Sequence, residues 1–234
     1  GKGNKERIIP INISLQQVIE QYRLAKNSLP EGNPKGYFIV TDNNSKSYSS
    51  FIRIVLYIVI AIFIILNISF ISHAYRFTHF EEGYTPPDQP TAIDNIHGIL
   101  FGVKNAKPKA KISPSCKYET IQIPSAGGEG TLEAWFLKTD SISKGFVLVF
   151  HGYGSEKSDL LKEAYAFIGM GYDVILPDFM GCGESYGEQT TIGFYEARNV
   201  KDIYDYVEKH FNPKNVYLYG LSMGAVAIIK AQHD

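Results

Sequence analysis

The chain has 234 residues, a net charge of −1 and 20% charged residues, so it lacks the basic excess typical of a nucleic-acid-binding protein. This length allows one to two domains, and 16 Tyr and 14 Phe support a packed core. The two cysteines, Cys116 and Cys182, are interpreted as free thiols, although a disulfide outside the cytoplasm stays open. No cysteine or histidine spacing indicates a zinc site, and we expect neither a metal nor a cofactor.

The first fifty residues show short, mixed patterns. A polar, basic turn and a short strand are predicted over residues 1–10, and apolar side chains at helical spacing predict a helix over residues 14–25. Residues 37–40 predict a strand and residues 42–44 a turn. We therefore expect a short α+β fragment in residues 1–50.

The basic turn, Gly1-Lys-Gly-Asn-Lys-Glu-Arg7, with the helix and strand after it, resembles part of the catalytic domain of tyrosine recombinases. The resemblance implies that Lys2 matches a catalytic lysine, but the other catalytic groups of that family have no counterpart here. Residues 1–50 carry seven cations against four acids, which predicts only weak DNA binding. The resemblance stops near residues 50–53, and this abrupt change suggests a fusion, a rearranged gene or a mis-assembled reading frame at that junction. A DNA-binding recombinase piece with a fused tail is one alternative function.

An apolar run of eighteen residues from Ile54 to Ile71 follows, interrupted by Asn67 and Ser69. As a helix it spans about 27 Å, which is nearly the thickness of a hydrocarbon core. A soluble helix of this length would show a polar face. We therefore predict a transmembrane helix over residues 54–72.

The flanking cations predict the orientation of this helix. Lys35, Lys46 and Arg53 precede it and Arg76 alone follows it, which favours a cytoplasmic N-terminus and an extracytoplasmic remainder. Ser72-His-Ala74 resembles a signal-peptidase site, so a cleaved signal peptide is the rival interpretation. Residues 73–117 are then predicted to be a polar tether with little periodicity.

The remaining segment, residues 118–234, alternates apolar runs with helical patterns. Early strands with short turns predict an antiparallel edge, and later strand–helix alternation predicts parallel pairing. The predicted strands are 118–123, 131–138, 145–150, 173–177 and 215–219, and the predicted helices are 157–170, 192–210 and 222–233.

Three motifs in this segment point to acyl-transfer chemistry. Gly220-Leu-Ser-Met-Gly224 lies between a strand and an Ala-rich helix, the setting of a turn that presents a nucleophilic serine, Ser222. His151-Gly-Tyr-Gly154 follows a buried strand, where an oxyanion loop is expected. The N–H groups of Tyr153 and Met223 would then stabilise the oxyanion. We interpret His151 as a structural residue. Asp178, in the Gly-rich loop after the predicted strand 173–177, is interpreted as a loop-capping residue.

Together with Pro177-Asp-Phe-Met-Gly-Cys-Gly-Glu-Ser185, these motifs make residues 118–234 similar to the N-terminal half of an α/β-hydrolase domain. The match is to the branch of serine-aminopeptidase-like and monoacylglycerol-lipase-like hydrolases. The resemblance implies Ser222 as nucleophile, Tyr153 and Met223 as oxyanion-hole residues, and an acid and a histidine later in the chain.

A general base for Ser222 is not evident in the sequence. Of the six histidines only His233 follows the serine, about 16 Å along the same predicted helix, and a base must come within hydrogen-bond distance. We therefore expect an incomplete, inactive portion of a membrane-anchored serine hydrolase that acts on a small-molecule or lipid ester or amide. A non-catalytic remnant or fusion product is the other alternative.

Overall fold

The computed structural model describes residues 13–27 and 43–233. The chain divides into two units, residues 1–55 and residues 56–234. In the first unit, α1 (Ile13–Asn27) confirms the predicted helix. The predicted strands at residues 1–10 and 37–40, and Lys2, lie outside the described residues. The predicted turn at 42–44 is wrong from Asn43 onward, because α2 begins there.

Helix α2 (Asn43–Thr78) contains the apolar run and extends beyond it at both ends. Its segment Ser50–Thr78 has a mean hydropathy of 3.0 in its most apolar window, and no part of that window is buried. It is the one helix among residues 13–27 and 43–233 that is long and apolar enough to cross a membrane. Its length and composition agree with the predicted span.

The stretch predicted as a polar tether has structure of its own. It contains β1 (Phe80–Glu81), α3 (Ala92–Phe101) and β2 (Asn105–Ala106), and β1 pairs with β2 in parallel. Thr91 and Asp94 form a reciprocal capping box at the start of α3, which satisfies N–H groups that a helix leaves unpaired. This capping box is a local reason why so short a helix forms.

The hydrolase-like segment folds as a five-stranded mixed sheet in the order β3-β4-β6-β5-β7. The antiparallel pairs are β3–β4 and β4–β6, whereas β5 lies parallel to both β6 and β7. The strands are β3 (Tyr118–Pro124), β4 (Thr131–Leu137), β5 (Phe146–Phe150), β6 (Asp173–Pro177) and β7 (Val216–Gly220). Each predicted strand is confirmed to within one residue at either end.

Helices cover both faces of this sheet. Helix α4 (Leu161–Gly169), preceded by a 3₁₀ turn (Lys157–Leu160), packs on the face that carries Val147, Val149 and Val174. Helices α5 (Glu196–Phe211) and α6 (Met223–Ala231) pack on the face that carries Leu148, Phe150 and Ile175. Strand β5 is buried on both faces, which explains its uninterrupted apolar sequence.

Helix α5 starts four residues later than predicted. The loop before it wraps around the Glu196 carboxylate, which accepts hydrogen bonds from the N–H groups of Thr191 and Gly193 and from the hydroxyls of Thr190 and Thr191. Ile192 takes a φ of 55° in this loop, outside the helical region. The helix therefore begins only at Glu196.

Candidate active site

Because β5, β6 and β7 are mutually parallel, their carboxyl ends meet at one edge of the sheet. His151, Asp178 and Ser222 follow these three strands, so the three motifs singled out from the sequence lie along this edge. This is the usual place for a binding crevice in an open α/β sheet.

Ser222 lies in the turn between β7 and α6 with φ 51° and ψ −113°, a conformation that L-residues rarely adopt. The turn is tight because both of its glycines touch backbone. A Cβ on Gly224 would lie 2.5 Å from the Phe150 carbonyl oxygen, and one on Gly220 would lie 2.6 Å from the Ala225 nitrogen. The Ser222 side chain is exposed and has no hydrogen-bond partner within residues 13–27 and 43–233. The turn therefore presents a free hydroxyl at the sheet edge.

The 151–154 loop lies directly beside this serine. The Leu221 N–H donates to the Phe150 carbonyl at 3.0 Å, and a Cβ on Gly152 would lie 3.6 Å from the Ser222 Cβ. Neither the Tyr153 nor the Met223 N–H donates a hydrogen bond within the described part of the chain. The structure thus brings the serine and the loop together and leaves both backbone donors uncommitted.

His151 is fully buried and holds the loop in place. The Phe179 N–H donates to its Nε2 at 3.1 Å, so Nδ1 carries the proton and donates to the Gly152 carbonyl at 2.8 Å. Burial lowers the pKa of His151, which keeps the ring neutral. Its interpretation as a structural histidine is confirmed, since both ring nitrogens are occupied and neither can take the serine proton.

Asp178 caps the neighbouring loops, as predicted. Its carboxylate accepts from the Lys157 N–H at 2.8 Å and from the Glu184 N–H at 3.3 Å, and it pairs with the Lys157 ammonium. That ammonium also lies 3.1 Å from Glu133. Burial alone would lower the pKa of Lys157, but these two carboxylates raise it. Asp178 is therefore committed to a buried ion pair and is unavailable as a catalytic acid.

The sequence did not reveal the contact between α2 and the 151–154 loop. The Tyr153 hydroxyl donates to the Phe77 carbonyl at 2.7 Å, and the two rings stack with centroids 4.7 Å apart. Phe80, which is buried, packs against the same tyrosine ring. No local sequence signal marks this contact, because it joins residues 76 positions apart.

The same part of the chain pairs with the loop before α5. The Thr190 N–H donates to the Thr78 carbonyl at 2.9 Å, and the Phe80 N–H donates to the Glu188 carbonyl at 2.8 Å. The Thr190 hydroxyl in turn lies 3.2 Å from the Met223 sulfur. We call residues 77–80, which include the end of α2, the strap, since they bind both the 151–154 loop and the 188–190 loop.

No histidine described by the structure forms a hydrogen bond with Ser222. His210 binds the Tyr206 carbonyl within α5, and His79 binds Gln189. His233 lies two residues beyond the end of α6. The described residues hold no cluster of three or more metal-ligating side chains either.

A cleft of about 970 Å³ lies near the strap and is lined by both charged and aromatic side chains, among them His79, Glu129, Tyr195 and Arg198. Neither Ser222 nor Tyr153 lines it.

Comparison with known proteins gives a family match to this part of the chain. Residues 141–234 match the model of the serine aminopeptidase family S33. An uncharacterized protein of Bacillus subtilis, YqkD, is 27% identical over 84 residues, which are 36% of this chain and 28% of that protein.

Solved structures with similar folds include the esterase Pf2001 of Pyrococcus furiosus, at 25% identity and a TM-score of 0.49, covering 55% of this chain and 52% of the esterase. The α/β hydrolase GrgF of Penicillium is 22% identical with a TM-score of 0.45, covering 50% and 42%. The matched region thus spans about half of these structures and under a third of the curated relative. Residues 118–234 thus have the mixed sheet and strand order of an α/β-hydrolase fold, and within them residues 141–234 are similar to the serine aminopeptidase family S33.

Proposed function

We propose that the protein is a membrane-anchored serine hydrolase and that Ser222 is its nucleophile. The observation that carries the proposal is the Ser222 turn, which combines an unusual backbone conformation with an exposed, unbonded hydroxyl. A nucleophile elbow has this form, since the strained strand-to-helix turn lifts the serine away from the sheet. The turn is also placed beside a loop with an uncommitted N–H.

The proposed reaction is acyl transfer in two steps. Ser222 Oγ attacks the carbonyl carbon of an ester or amide and loses its proton to a general base. The N–H groups of Tyr153 and Met223 donate to the oxyanion that forms, and the positive end of the α6 dipole adds to their effect. The alcohol or amine leaves with a proton, and water then hydrolyses the acyl-enzyme.

Under this proposal, the general base and its orienting carboxylate lie outside residues 13–27 and 43–233. The reason is chemical, because His151, in the loop beside Ser222, has both ring nitrogens bonded, and no histidine among the described residues forms a hydrogen bond with Ser222. A serine hydroxyl without a base is a weak nucleophile. The 234-residue polypeptide alone is accordingly expected to react slowly, as a portion of the catalytic unit.

Anchoring is proposed through α2. Segment Ser50–Thr78 is long and apolar enough to cross a bilayer, and its apolar side chains from Phe51 to Ile71 are exposed. Exposed apolar surface on this scale is costly in water and is the normal surface of a helix in lipid. The excess of cations before the apolar run Ile54–Ile71 supports a cytoplasmic N-terminus and an extracytoplasmic hydrolase segment.

The substrate class proposed is a small-molecule or lipid ester or amide. The family description names an aminopeptidase, and the serine chemistry serves amides and esters alike. The chain's net charge of −1 gives no support to a nucleic-acid substrate. Residues 1–50, with the recombinase-like Lys2, are given no catalytic role.

The test is covalent labelling with a fluorophosphonate probe in membranes from cells that express the intact natural gene. Wild type should be labelled and Ser222→Ala should not. Ser143→Ala, which removes an exposed hydroxyl that donates to the Gly145 carbonyl, should be labelled like wild type. Equal labelling of wild type and Ser222→Ala would refute the assignment, and absence of any labelling would favour a non-catalytic protein.

A further inference from the structure

Helix α3 is fixed at both ends by hydrogen bonds, but none of its side chains is buried in a hydrophobic core. Its capping box and the Gly102 N–H, which donates to the Gly98 carbonyl, fix both ends, yet none of its residues is buried. A helix of ten residues is marginal by itself in water. Its stability therefore depends on what covers its side chains.

The exposed side chains of α3 form an apolar face. Ile93, Ile96 and Ile99 are 77%, 58% and 75% exposed, and Leu100 is also exposed. They recur at spacings of three and four, whereas Asp94 lies on the opposite side of the helix and Asn95 at the edge of the apolar face, about 100° around the helix from Ile96. This is an amphipathic helix with its apolar face uncovered.

The C-terminal end of α3 is fixed to α2. The Ser69 hydroxyl donates to the Leu100 carbonyl at 2.5 Å, and the Ser72 hydroxyl donates to the Phe101 carbonyl at 2.6 Å. Gly102, with φ 83°, packs so closely that a Cβ there would lie 3.1 Å from the His73 Cα. These contacts place the end of α3 level with residues 69–73, where the apolar run of α2 ends.

The two serine hydrogen bonds also indicate whether water or lipid surrounds the C-terminal end of α3. The last carbonyls of a helix have no partner within it, and in water they bind solvent at little cost. In lipid an unpaired carbonyl costs several kcal/mol, so partners must come from the protein. Here α2 supplies them, and its neighbouring side chains Phe70 and Ile71 are 76% and 70% exposed. The apolar surfaces of α2 and α3 thus meet at the same level.

We propose that α3 is a second membrane-contacting element, with its apolar face in the lipid of the leaflet that holds residues 69–72. This inference rests on the proposed membrane anchoring of α2. Amphipathic helices with exposed Ile and Leu side chains commonly bind at the boundary of headgroups and acyl chains. The occupant of the α3 face is therefore the bilayer and not a second protein.

The test uses the full chain in phosphatidylcholine–phosphatidylglycerol vesicles, with Cys116→Ser as background. Buried Cys182 is retained, since burial raises the pKa of its thiol and keeps it unreactive. A nitrobenzoxadiazole label is attached at Ile96→Cys, Asn95→Cys or Phe63→Cys, and quenching by doxyl-labelled lipid is measured. Labels at 96 and 63 should be quenched several-fold more than the label at 95.

The three labels separate the two proposals. Quenching at 63 without preferential quenching at 96 over 95 would overturn the role of α3 and leave the anchoring of α2 intact. No quenching at 63 would overturn both. If a second chain covers α3, the label at 96 should be shielded both from lipid and from aqueous iodide. Two unlabelled copies of the Ile96→Cys variant should then form a disulfide cross-link. That outcome would also refute the proposal.

Discussion

The backbone of Ser222 holds an unusual conformation that costs on the order of 1–3 kcal/mol. The neighbouring contacts maintain it, because Gly220 and Gly224 each lie against backbone atoms with no room for a side chain. The sequence predicted this turn from the two glycines and the flanking strand and helix. Likewise, His151 was assigned as structural because its loop contributes a backbone donor, and Asp178 because it precedes the serine, and the contacts of both residues agree.

The contact of the Tyr153 side chain with Phe77 could not be predicted from the sequence, because only tertiary folding brings the hydroxyl to that carbonyl. Tyr153→Phe removes that hydroxyl and keeps the ring that stacks on Phe77. We expect the free energy of unfolding to fall by about 0.5–1.5 kcal/mol, the usual net value of one hydrogen bond, because the second contact of this hydroxyl, from the Asn105 amide, is long at 3.5 Å. Urea denaturation of the full chain in detergent measures this change.

Tyr118→Phe is the matched control. Tyr118 also packs against an aromatic ring, that of Trp135, in a tilted arrangement, but its hydroxyl has no hydrogen bond within the described residues. It should unfold like wild type. Equal stabilities of Tyr153→Phe and Tyr118→Phe would show that the bond to Phe77 contributes nothing.

At the scale of elements, the strands of the hydrolase segment were predictable because each combines apolar residues with flanking turn residues. Helix α3 was missed because it is only ten residues long and lies between a proline-rich stretch and a lysine-rich stretch. The Thr91–Asp94 capping box is the local signal that would have revealed it.

The contact between α6 and β5 depends on Gly224. Gly224→Ala would force its Cβ against the Phe150 and His151 carbonyl oxygens, both of which are main-chain atoms and cannot rotate away. We expect a loss of about 1–3 kcal/mol in stability from this overpacking, measured as a lower urea midpoint.

Gly169→Ala provides the comparison, since a Cβ there meets nothing within 4 Å. It should leave stability unchanged or raise it by up to about 1 kcal/mol, because alanine favours helices. If both alanine variants behaved alike, α6 would not be held as closely to β5 as the structure shows.

At the scale of the whole molecule, residues 73–117 join the hydrolase segment at several points. The Lys107 ammonium donates to the Ser185 carbonyl at 3.0 Å, and the Gly183 N–H donates to the Pro108 carbonyl at 2.8 Å. Composition could not show this, because these bonds involve backbone groups that every sequence possesses. A stretch rich in Pro and Lys therefore resembles a loose tether in sequence and is a docked segment in the structure.

The proposed orientation can be tested with the chain's own cysteines. Cys116 is exposed and Cys182 is buried, so Cys116 should react with a membrane-impermeant maleimide added to intact cells. Cys116→Ser should abolish the labelling. Labelling of wild type only after the cells are permeabilised would show that the hydrolase segment faces the cytoplasm.

Under the proposed function, the strap has a consequence for where Ser222 can act. An enzyme on a flexible stalk swings through a wide volume and reaches substrates at many heights above a surface. Here residues 77–80 bind the Tyr153 loop and the 188–190 loop directly, which leaves no free joint between α2 and those loops. Under the proposed anchoring, Ser222 would keep a fixed height above the bilayer and a fixed orientation relative to it. Lateral diffusion would then bring Ser222 to its substrates, and the molecules that it meets would be those that lie at that height above the bilayer.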